Sequence, residues 1–340
     1  MVREKKEPSS NQAASITDVA RAAGVSISTV SRVINNDPGV KEKNRIKVKE
    51  AVKKFKFQPS VYAQRLASGK SNVVALVMPR YEGIFYSFYA LELIRGIGTL
   101  CSILKLDLLL HLTDARSSLN LKGIGGVIFA DVIGNRHQLE EAINASISSI
   151  VINNRVEDLE VDSISVDNVK GAEDAVDYLV GLGHRKIAHI SGDLITQAAV
   201  QRLEGYKRSL KKNDIVFNES YCIKTDYSRG QARLAAEKLL KMDQPPTAIF
   251  IASDSMALEV MTVVKEAGKH VPADVSIVGF DDNPSGLYGP VALTTVRQPL
   301  IKMAEESVKR LAQIMSKKKT KIEKLVLPAE LVIRDSCQPP

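Results

Sequence analysis

Along the chain, apolar residues first recur at helical spacing and later in short unbroken runs, and that change of style divides it. Residues 1–14 are polar and charged without periodicity, which predicts a disordered basic tail. Ile16, Val19, Ala20 and Ala23 then make one helical stripe, and Gly24 can take the left-handed conformation that ends it. Ser15 is placed to cap this helix, with Asp18 at the capping-box offset. Ser26 can cap a second short helix whose inner face is Val30, Val33 and Ile34. Asn35-Asn36-Asp37-Pro38-Gly39 reads as a turn. A third helix is expected over about 41–55, with Val48, Ala51, Val52 and Phe55 on one face and lysines mostly around the others.

Residues 58–71 start with Gln58-Pro59, offer few core-forming side chains and break at Ser68-Gly69; they predict a linker that is helical only under some conditions. From Asn72 the runs "VVALVMP", "LDLLLHL", "GVIFA", "SIVIN", "KIAHISG", "TAIFIAS" and "VSIVGFDD" alternate with helical patterns, among them 169–182, 201–211, 230–242 and 256–267. Apolar strands alternating with amphipathic helices predict parallel sheets covered on both faces. About ten strands suit two such sheets. The expected organisation is therefore a tail (1–14), a helical head (15–57), a linker (58–71) and an α/β body (72–340).

Length agrees, since 340 residues exceed one ordinary core. The charge sharpens the division. Residues 1–70 hold 15 Lys and Arg against 6 Asp and Glu, whereas the remainder holds 32 against 33, so the whole excess of +8 sits in the first fifth. A basic module on a neutral body points to an anionic polymer as partner of the module. Cys101, Cys222 and Cys337 are odd in number and far apart, which favours a reducing compartment over disulfides or structural zinc. Cys101 and Cys222 are expected to be buried and Cys337, in the tail, exposed. The start has no apolar signal segment and no run of about 18 apolar residues occurs, so a cytoplasmic protein without a membrane span or bound cofactor is expected.

Two short helices joined by a glycine turn and followed by a third form a helix-turn-helix, whose second helix enters the DNA major groove. With Val30, Val33 and Ile34 inward, the exposed residues at its start are Ile27, Ser28 and, one turn on, Arg32. Arginine can grip guanine O6 and N7 with two hydrogen bonds, and Ile27 can touch a thymine methyl. Ser26, Ser31 and Asn35 can hold phosphates; for any one serine, capping or simple solvation explains the residue as well. In the body, ligands of open parallel sheets bind beyond the carboxyl ends of the strands. Asn153 and Arg155, Asp226 and Tyr227, Ser253 and Asp254, and Asp281 and Asp282 fall there, with Arg202 near the start of a helix. Any one of these aspartates also suits a helix cap.

The residues Ile16, Asp18-Val19-Ala20, Ala23-Gly24-Val25-Ser26, Thr29-Val30-Ser31-Arg32-Val33 and Asn35 resemble the N-terminal signature of the lactose-repressor (LacI/GalR) family. The likeness continues through "PSVYAQRLASGK", similar to the family's hinge helix, and through "VDNVKGAEDAVDYLVGLGHRKIAHISGD", "RLEGYKRSL", "PTAIFIASDSMALEVM", "VPADVSIVGFDD" and "LTTVRQP" of its effector domain. The resemblance implies a helix-turn-helix domain, with Thr29 among its DNA contacts, joined to a periplasmic-binding-protein-like domain of two doubly wound lobes. It implies a homodimer on a pseudo-palindromic DNA operator, with Leu66 beside Ala67 inserted into the minor groove as an apolar wedge. It places effector contacts on Asn153, Arg202, Tyr227, Ser253, Asp281 and Gln298; Arg155 joins them by position, and Phe85 and Tyr86 are candidate walls.

The chain departs from the family between "LLLHL" and "GVIFA", where residues 113–125 replace a full helix with a short crossover, and at Ser148, where a proline is usual. No leucine heptads follow Arg334, which predicts a dimer without a C-terminal coiled coil. The expected function is a sequence-specific transcription regulator, a repressor of a carbohydrate operon controlled by a small sugar. A purine or phosphoprotein co-effector is the alternative within the family, and a sugar-transport binding protein the alternative outside it. No nucleophile–base set marks an enzyme: His111, His137, His184, His189 and His270 are scattered, and His184 is expected to be structural.

Overall fold

The computed structural model describes residues 14–34, 37–57, 71–80, 84–114, 117–316 and 321–340. The chain forms two compact units, Met1–Ser71 and Asn72–Pro340.

In the first unit, three helices enclose a small core: α1 (Ile16–Ala23), α2 (Ile27–Ile34) and α3 (Glu42–Lys54). The capping box forms as expected. The Asp18 amide donates to Ser15 Oγ at 3.3 Å, and the Ser15 amide donates to Asp18 Oδ2 at 3.0 Å. Gly24 ends α1 at φ 63°, and its side-chain-free position lets the chain turn at once into α2. Val19, Ala20, Ala23, Val30, Val33, Val48 and Ala51 make the core. Phe55 departs from expectation. The helix stops at Lys54, the next residue turns outward, and Phe57 packs on the core instead. Arg45, from α3, donates to the Asp37 carbonyl at 2.8 Å and so fixes the turn that follows residues 35–36.

The second unit holds two parallel sheets, as the alternating pattern predicts. The larger has the order β11-β5-β4-β3-β1-β2, from β1 (Val73–Pro79), β2 (Asp107–Thr113), β3 (Gly126–Phe129), β4 (Ser148–Ile152), β5 (Asp162–Val166) and β11 (Lys324–Leu327). The smaller has the order β7-β6-β8-β9, from β6 (Ile187–Ile190), β7 (Cys222–Ile223), β8 (Ala248–Ile251) and β9 (Ser276–Val278). Full burial of β3, β6 and β8 explains why these segments read as largely apolar runs, whereas β5 is equally buried but carries Asp162, Ser163 and Ser165. Helices α4 (Phe88–Ile103), α5 (Arg136–Asn144) and α10 (Leu300–Met315) cover the larger sheet, while α6 (Asn168–Gly181), α7 (Gln197–Lys212), α8 (Arg229–Leu240) and α9 (Asp254–Glu266) cover the smaller.

The chain passes from lobe to lobe after β5, after β10 (Thr295–Arg297) and after β11. One element was not expected: β10 pairs antiparallel with β12 (Glu330–Val332), a two-stranded ribbon beside these crossovers. Its strands are too short to show a period.

The short crossover after β2 contains no helix among its described residues, 114 and 117–125. Leu119, Leu121 and Ile124 still bury against β3 and α5, and polar side chains of α5 replace the missing backbone ladder. Gln138 Nε2 donates to the Ser117 carbonyl at 2.7 Å, and Glu141 accepts from Ser118 Oγ at 2.8 Å. At the other end of the chain, Ser336 and Gln338 hydrogen-bond to Ile277 and Ser276 of β9. That docking half-buries Cys337, whose Sγ lies 3.2 Å from the Ile277 carbonyl, so the expectation of an exposed thiol is corrected; Cys222 is half-buried too, and Cys101 is buried. His184 is buried between Thr247, Ser276 and the Gln338 carbonyl, a structural role as expected.

Where α6 crosses α7, a side chain at Gly205 would put its Cβ 2.2 Å from the Val169 carbonyl. Gly205→Ala should therefore lower stability by about 1–3 kcal/mol through overpacking. Gly230, on α8 with open space around it, should gain ~0.5–1 kcal/mol as Gly230→Ala. Urea unfolding of the two variants checks both signs.

Candidate nucleic-acid interface and ligand cleft

On the head, α2 presents a short polar surface. Ile27 is 48% exposed, unusual for an isoleucine in a small domain, and Ser28 stands beside it in solvent. Ser26 Oγ accepts from the Thr29 amide at 3.2 Å and lies 2.8 Å from Ser28 Oγ and 2.9 Å from Thr29 Oγ1. Ser26 is thus the cap, and the three hydroxyls form one cluster at the helix start. Ser31 is half-buried. Arg32 is 67% exposed and its Nε is 3.4 Å from Asp37 Oδ2. That loose, wet pair holds the guanidinium near the surface without neutralising it strongly. The Asp37 pairing was not read from the sequence, since Asp37 lies five residues beyond Arg32 and outside helix α2. Asn35, Leu66 and Ala67 lie outside the described residues.

In the body, the carboxyl ends of the strands converge. Arg202, on α7, is only 4% exposed. Its Nε donates to Asn168 Oδ1 at 2.9 Å and its Nη1 to the Ala252 carbonyl at 2.5 Å. The guanidinium lies 3.7 Å from the Phe280 ring centroid and 3.8 Å from Asp281 Oδ1. Gln298, at the crossover into α10, donates from Nε2 to the same Asp281 oxygen at 2.6 Å. Burial raises the Asp281 carboxyl above its ordinary range, against the opposing pull of Arg202 and Gln298. Asp254, beneath it, is raised further, by burial first and by Asp281 second. It accepts from Thr295 Oγ1 at 2.6 Å and from the Asn283 amide at 2.7 Å. Gly279 leaves room for it, since a Cβ there would lie 2.1 Å from Asp254 Oδ1. Asp282 belongs to a different set: burial alone would raise it, but Arg334 and Arg297 hold it low.

Tyr227 lies across Gly192, where a Cβ would come within 2.0 Å of the ring. Burial raises its hydroxyl above the ordinary range, with Arg202 and Thr196 opposing and Asp281 and Asp131 adding to the rise. Asn153, Tyr227 and Asp281 all adopt positive φ (66°, 67° and 121°), a strained choice for non-glycine residues that places three polar side chains at strand ends. Two buried acceptors here have no hydrogen-bond partner among the described residues, Asn153 Oδ1 and Gln298 Oε1. Ser253 caps α9, donating no contact of its own to the cluster beyond that role, with its Oγ 3.4 Å from the Met256 amide.

Other residues singled out from the sequence stand apart. The Arg155 guanidinium pairs with Glu157 at the surface; it is the Arg155 backbone that bridges the lobes, donating to Gln197 Oε1 at 2.7 Å and accepting from Gln197 Nε2 at 3.1 Å. Phe85 is exposed, and Tyr86 is 92% exposed. Asp131, Asn168, Thr196 and Gln197 were missed. Asp131 lies two residues past Phe129, the last rung of β3 opposite Val151 of β4, so the register sets it beside Asn153. A cavity of about 290 Å³ opens between α4 and the smaller lobe, lined by Phe88, Glu92, Asp281 and Gln298 among others. A second, of about 460 Å³, lies at the amino end of β6 around Lys186, Tyr206 and Phe217, the wrong end of the strands for a ligand of this architecture.

Residues 15–60 match the model of the bacterial regulatory proteins of the lacI family, and residues 176–337 match the periplasmic binding protein-like domain. Catabolite control protein A of Priestia megaterium is 32% identical over 332 residues, which cover 94% of this chain and 98% of that protein. This chain belongs to the LacI family. Among solved structures, the Lac repressor dimer bound to operator and the anti-inducer ONPF superposes with a TM-score of 0.81 at 27% identity, covering 96% of this chain and 100% of that one. The complex of the transcriptional regulator CelR with cellobiose gives 0.71 at 27% identity, covering 95% and 99%. This LacI-family chain is accordingly a DNA-binding transcription regulator, and its helix-turn-helix head and two-lobed body follow the Lac repressor fold. Among its described residues no helix is long and apolar enough to cross a membrane.

The Asp131 carboxyl, ordinarily near 3.8, is pushed up to about 6 by burial, although the Ile133 and Val132 amides oppose this. A raised acid binds its proton more tightly folded than unfolded, so its contribution is fully present below pH 3.8 and is lost as pH rises through about 6. Ligand-free protein should therefore lose roughly 2 kcal/mol from this group between pH 4 and 7. Asp131→Asn should remove that slope, which thermal unfolding across the range measures.

Proposed function

We propose that the chain is a cytoplasmic, homodimeric repressor that reads a pseudo-palindromic operator with α2 and senses a small sugar between its lobes. It acts by binding and not by turnover. The observation that carries the sugar reading is the unfilled buried acceptor Gln298 Oε1 beside the Arg202–Asp281 pair, with a second, Asn153 Oδ1, just past the carboxyl end of β4. Buried polar atoms are normally satisfied, and a ligand bearing adjacent hydroxyls supplies donors to both. The regulator CelR, solved in complex with cellobiose, supports the same class of ligand. For the head, the support is the exposed Ile27, Ser28 and Arg32 on the second helix of a helix-turn-helix, within a segment that carries the chain's whole positive excess.

Ligand closure then acts on DNA by linkage: a ligand that favours one lobe arrangement favours whichever operator affinity belongs to it. The Gln197 amide and the Arg155 backbone form a two-bond clasp between lobes, distant in sequence and separate from the crossovers. It stabilises one arrangement of the lobes.

Arg32→Ala should weaken operator binding and relax base preference at one symmetric pair of positions by about 1–3 kcal/mol. Competition binding with operator variants tests this, and an unchanged preference excludes Arg32 from base reading. Gln197→Ala should leave ligand-free unfolding nearly unchanged while reducing the change in operator affinity that a bound sugar produces, read by titrating labelled operator with and without the sugar. An undiminished response would remove the clasp from the coupling.

A further inference from the structure

We propose that the cavity at the amino end of β6 is a second small-molecule site, which takes a flat aromatic carboxylate, and that a ladder of rings behind it couples this site to Arg202. Neither part depends on which ligand the cleft between the lobes takes.

The cavity, of about 460 Å³, is large enough for a small ligand, and its place sets it apart from the strand ends where this architecture takes its principal one. Its inner wall is carbon: the rings of Tyr206, Phe217 and Tyr221, with Leu210 and Ile215. The two phenol hydroxyls are already given away, Tyr206 to the Ile187 carbonyl at 2.8 Å and Tyr221 to the Gln244 carbonyl at 2.7 Å. These bonds fix the rings and leave their faces and edges to a ligand. The rim carries the charge. Lys186 is exposed, and Lys207 holds its Nζ 4.8 Å from the Phe217 ring centroid; neither has a carboxylate partner among the described residues. Glu219 is the single acid in the lining. Arg185 donates to the Val180 and His184 carbonyls at 3.1 and 3.0 Å, so the carbonyl end of α6 is covered and does not repel an anion here. An aromatic body suits the wall, and a carboxylate suits the two unpaired lysines.

Tyr206 is also the first rung of a continuous stack into the smaller lobe. Its ring centroid lies 6.2 Å from Phe217 and 5.2 Å from His189 of β6. His189 lies 4.8 Å from Phe250, its neighbour in register on β8, with the rings nearly parallel at 12°. Phe250 is 6.4 Å from Phe280, whose ring centroid lies 3.7 Å from the Arg202 guanidinium. Every member from Tyr206 to Arg202 is buried. The middle rung is the least tied. Burial pushes the His189 imidazole down to about 4, so it is uncharged at neutral pH. Its Nδ1 is 3.0 Å from the Phe250 carbonyl, but the buried Nε2 has no hydrogen-bond partner among the described residues. Rings packed in a dense interior do not shift alone. A ligand that reseats Tyr206 and Phe217 therefore reaches His189, and through Phe250 and Phe280 the guanidinium that faces Asp281.

The test uses the full chain. Calorimetry compares benzoate, 4-hydroxybenzoate and cinnamate with benzamide, benzylamine and cyclohexanecarboxylate. The aromatic acids should bind saturably, one per chain, and about tenfold more tightly than the other three. The exposed pair Lys186→Gln and Lys207→Gln together should weaken benzoate about tenfold and leave benzamide unchanged. Coupling is read by magnetic resonance on chains labelled at the histidine ring carbons and the arginine Nε, with His189→Phe and Arg202→Lys assigning the two signals. Benzoate should move both along its own binding curve while the signals of His111, His137 and His270 stay in place. Phe250→Leu, which removes one rung, should still bind benzoate and lose the Arg202 response. No saturable binding of an aromatic acid, tighter binding of benzylamine than of benzoate, or unchanged benzoate affinity in the lysine variant overturns the site and the coupling with it. Benzoate binding that leaves the Arg202 signal in place, or an Arg202 response that survives in Phe250→Leu, overturns the ladder and leaves the site standing.

Discussion

A guanidinium taken almost wholly out of water must be neutralised and hydrogen-bonded where it stands, and Arg202 obtains this from several elements at once. Asn168 begins α6, Ala252 follows β8, Phe280 follows β9, and Asp281 is the next residue. Removing one member of such a set leaves an uncompensated buried charge, a loss of about 3–5 kcal/mol. The pair therefore fixes the ends of three neighbouring strands and helices of the smaller lobe relative to one another. Gln298 extends this to the crossover, since the chain runs directly from its bond with Asp281 into α10 of the larger lobe. Any ligand that changes how Asp281 and Gln298 share that bond acts on the segment joining the lobes.

The same low dielectric explains why several acids sit here with raised proton affinity. Asp131, Asp254 and Asp281 are all displaced upward, and burial is the first cause for each. Asp282, next in sequence to Asp281, is displaced downward because Arg297 and Arg334 reach it. Two adjacent aspartates thus divide their work: one faces the cleft and stays under-compensated, the other ties β10 and the segment after β12 together. Groups held short of partners in a cleft are poised to exchange that deficit for ligand contacts.

Much of this was legible in the sequence, and the limits have physical causes. The caps Ser15, Gly24 and Ser26 announce themselves because a cap is a local device, read from residues within one helical turn. Strands β3, β4, β6 and β8 were legible because burial on both faces leaves mostly apolar residues. Asn153, Arg202, Tyr227, Asp281 and Gln298 stand at strand ends or nearby, and of these Arg202, Asp281 and Gln298 are in contact. Asp131 escaped because its strand ends at Phe129 and it is followed by the apolar Val132 and Ile133, so no local pattern marks it. Arg155 shows the converse. Its position at the mouth of the cleft follows from the strand before it, but whether side chain or backbone faces the other lobe depends on Gln197, 42 residues away. Cys337 and the β10–β12 ribbon depend in the same way on where the chain end docks.

A short crossover and a clasp together give this body an asymmetry that bears on coupling. In the larger lobe, the segment before β3 is tied down by α5 side chains and not by a helix of its own, so its stability rests on Gln138 and Glu141. The carboxyl end of β3, where Asp131 stands, is continuous with that segment. The loop after β4 leads to the Arg155–Gln197 clasp. The wall that the larger lobe offers to a ligand is thus built from loops held by side-chain amides, whereas the wall of the smaller lobe is built on a buried ion pair and helix caps. When a ligand joins the two, the less rigid wall has more freedom to lose, and the change in arrangement should be concentrated in the larger lobe.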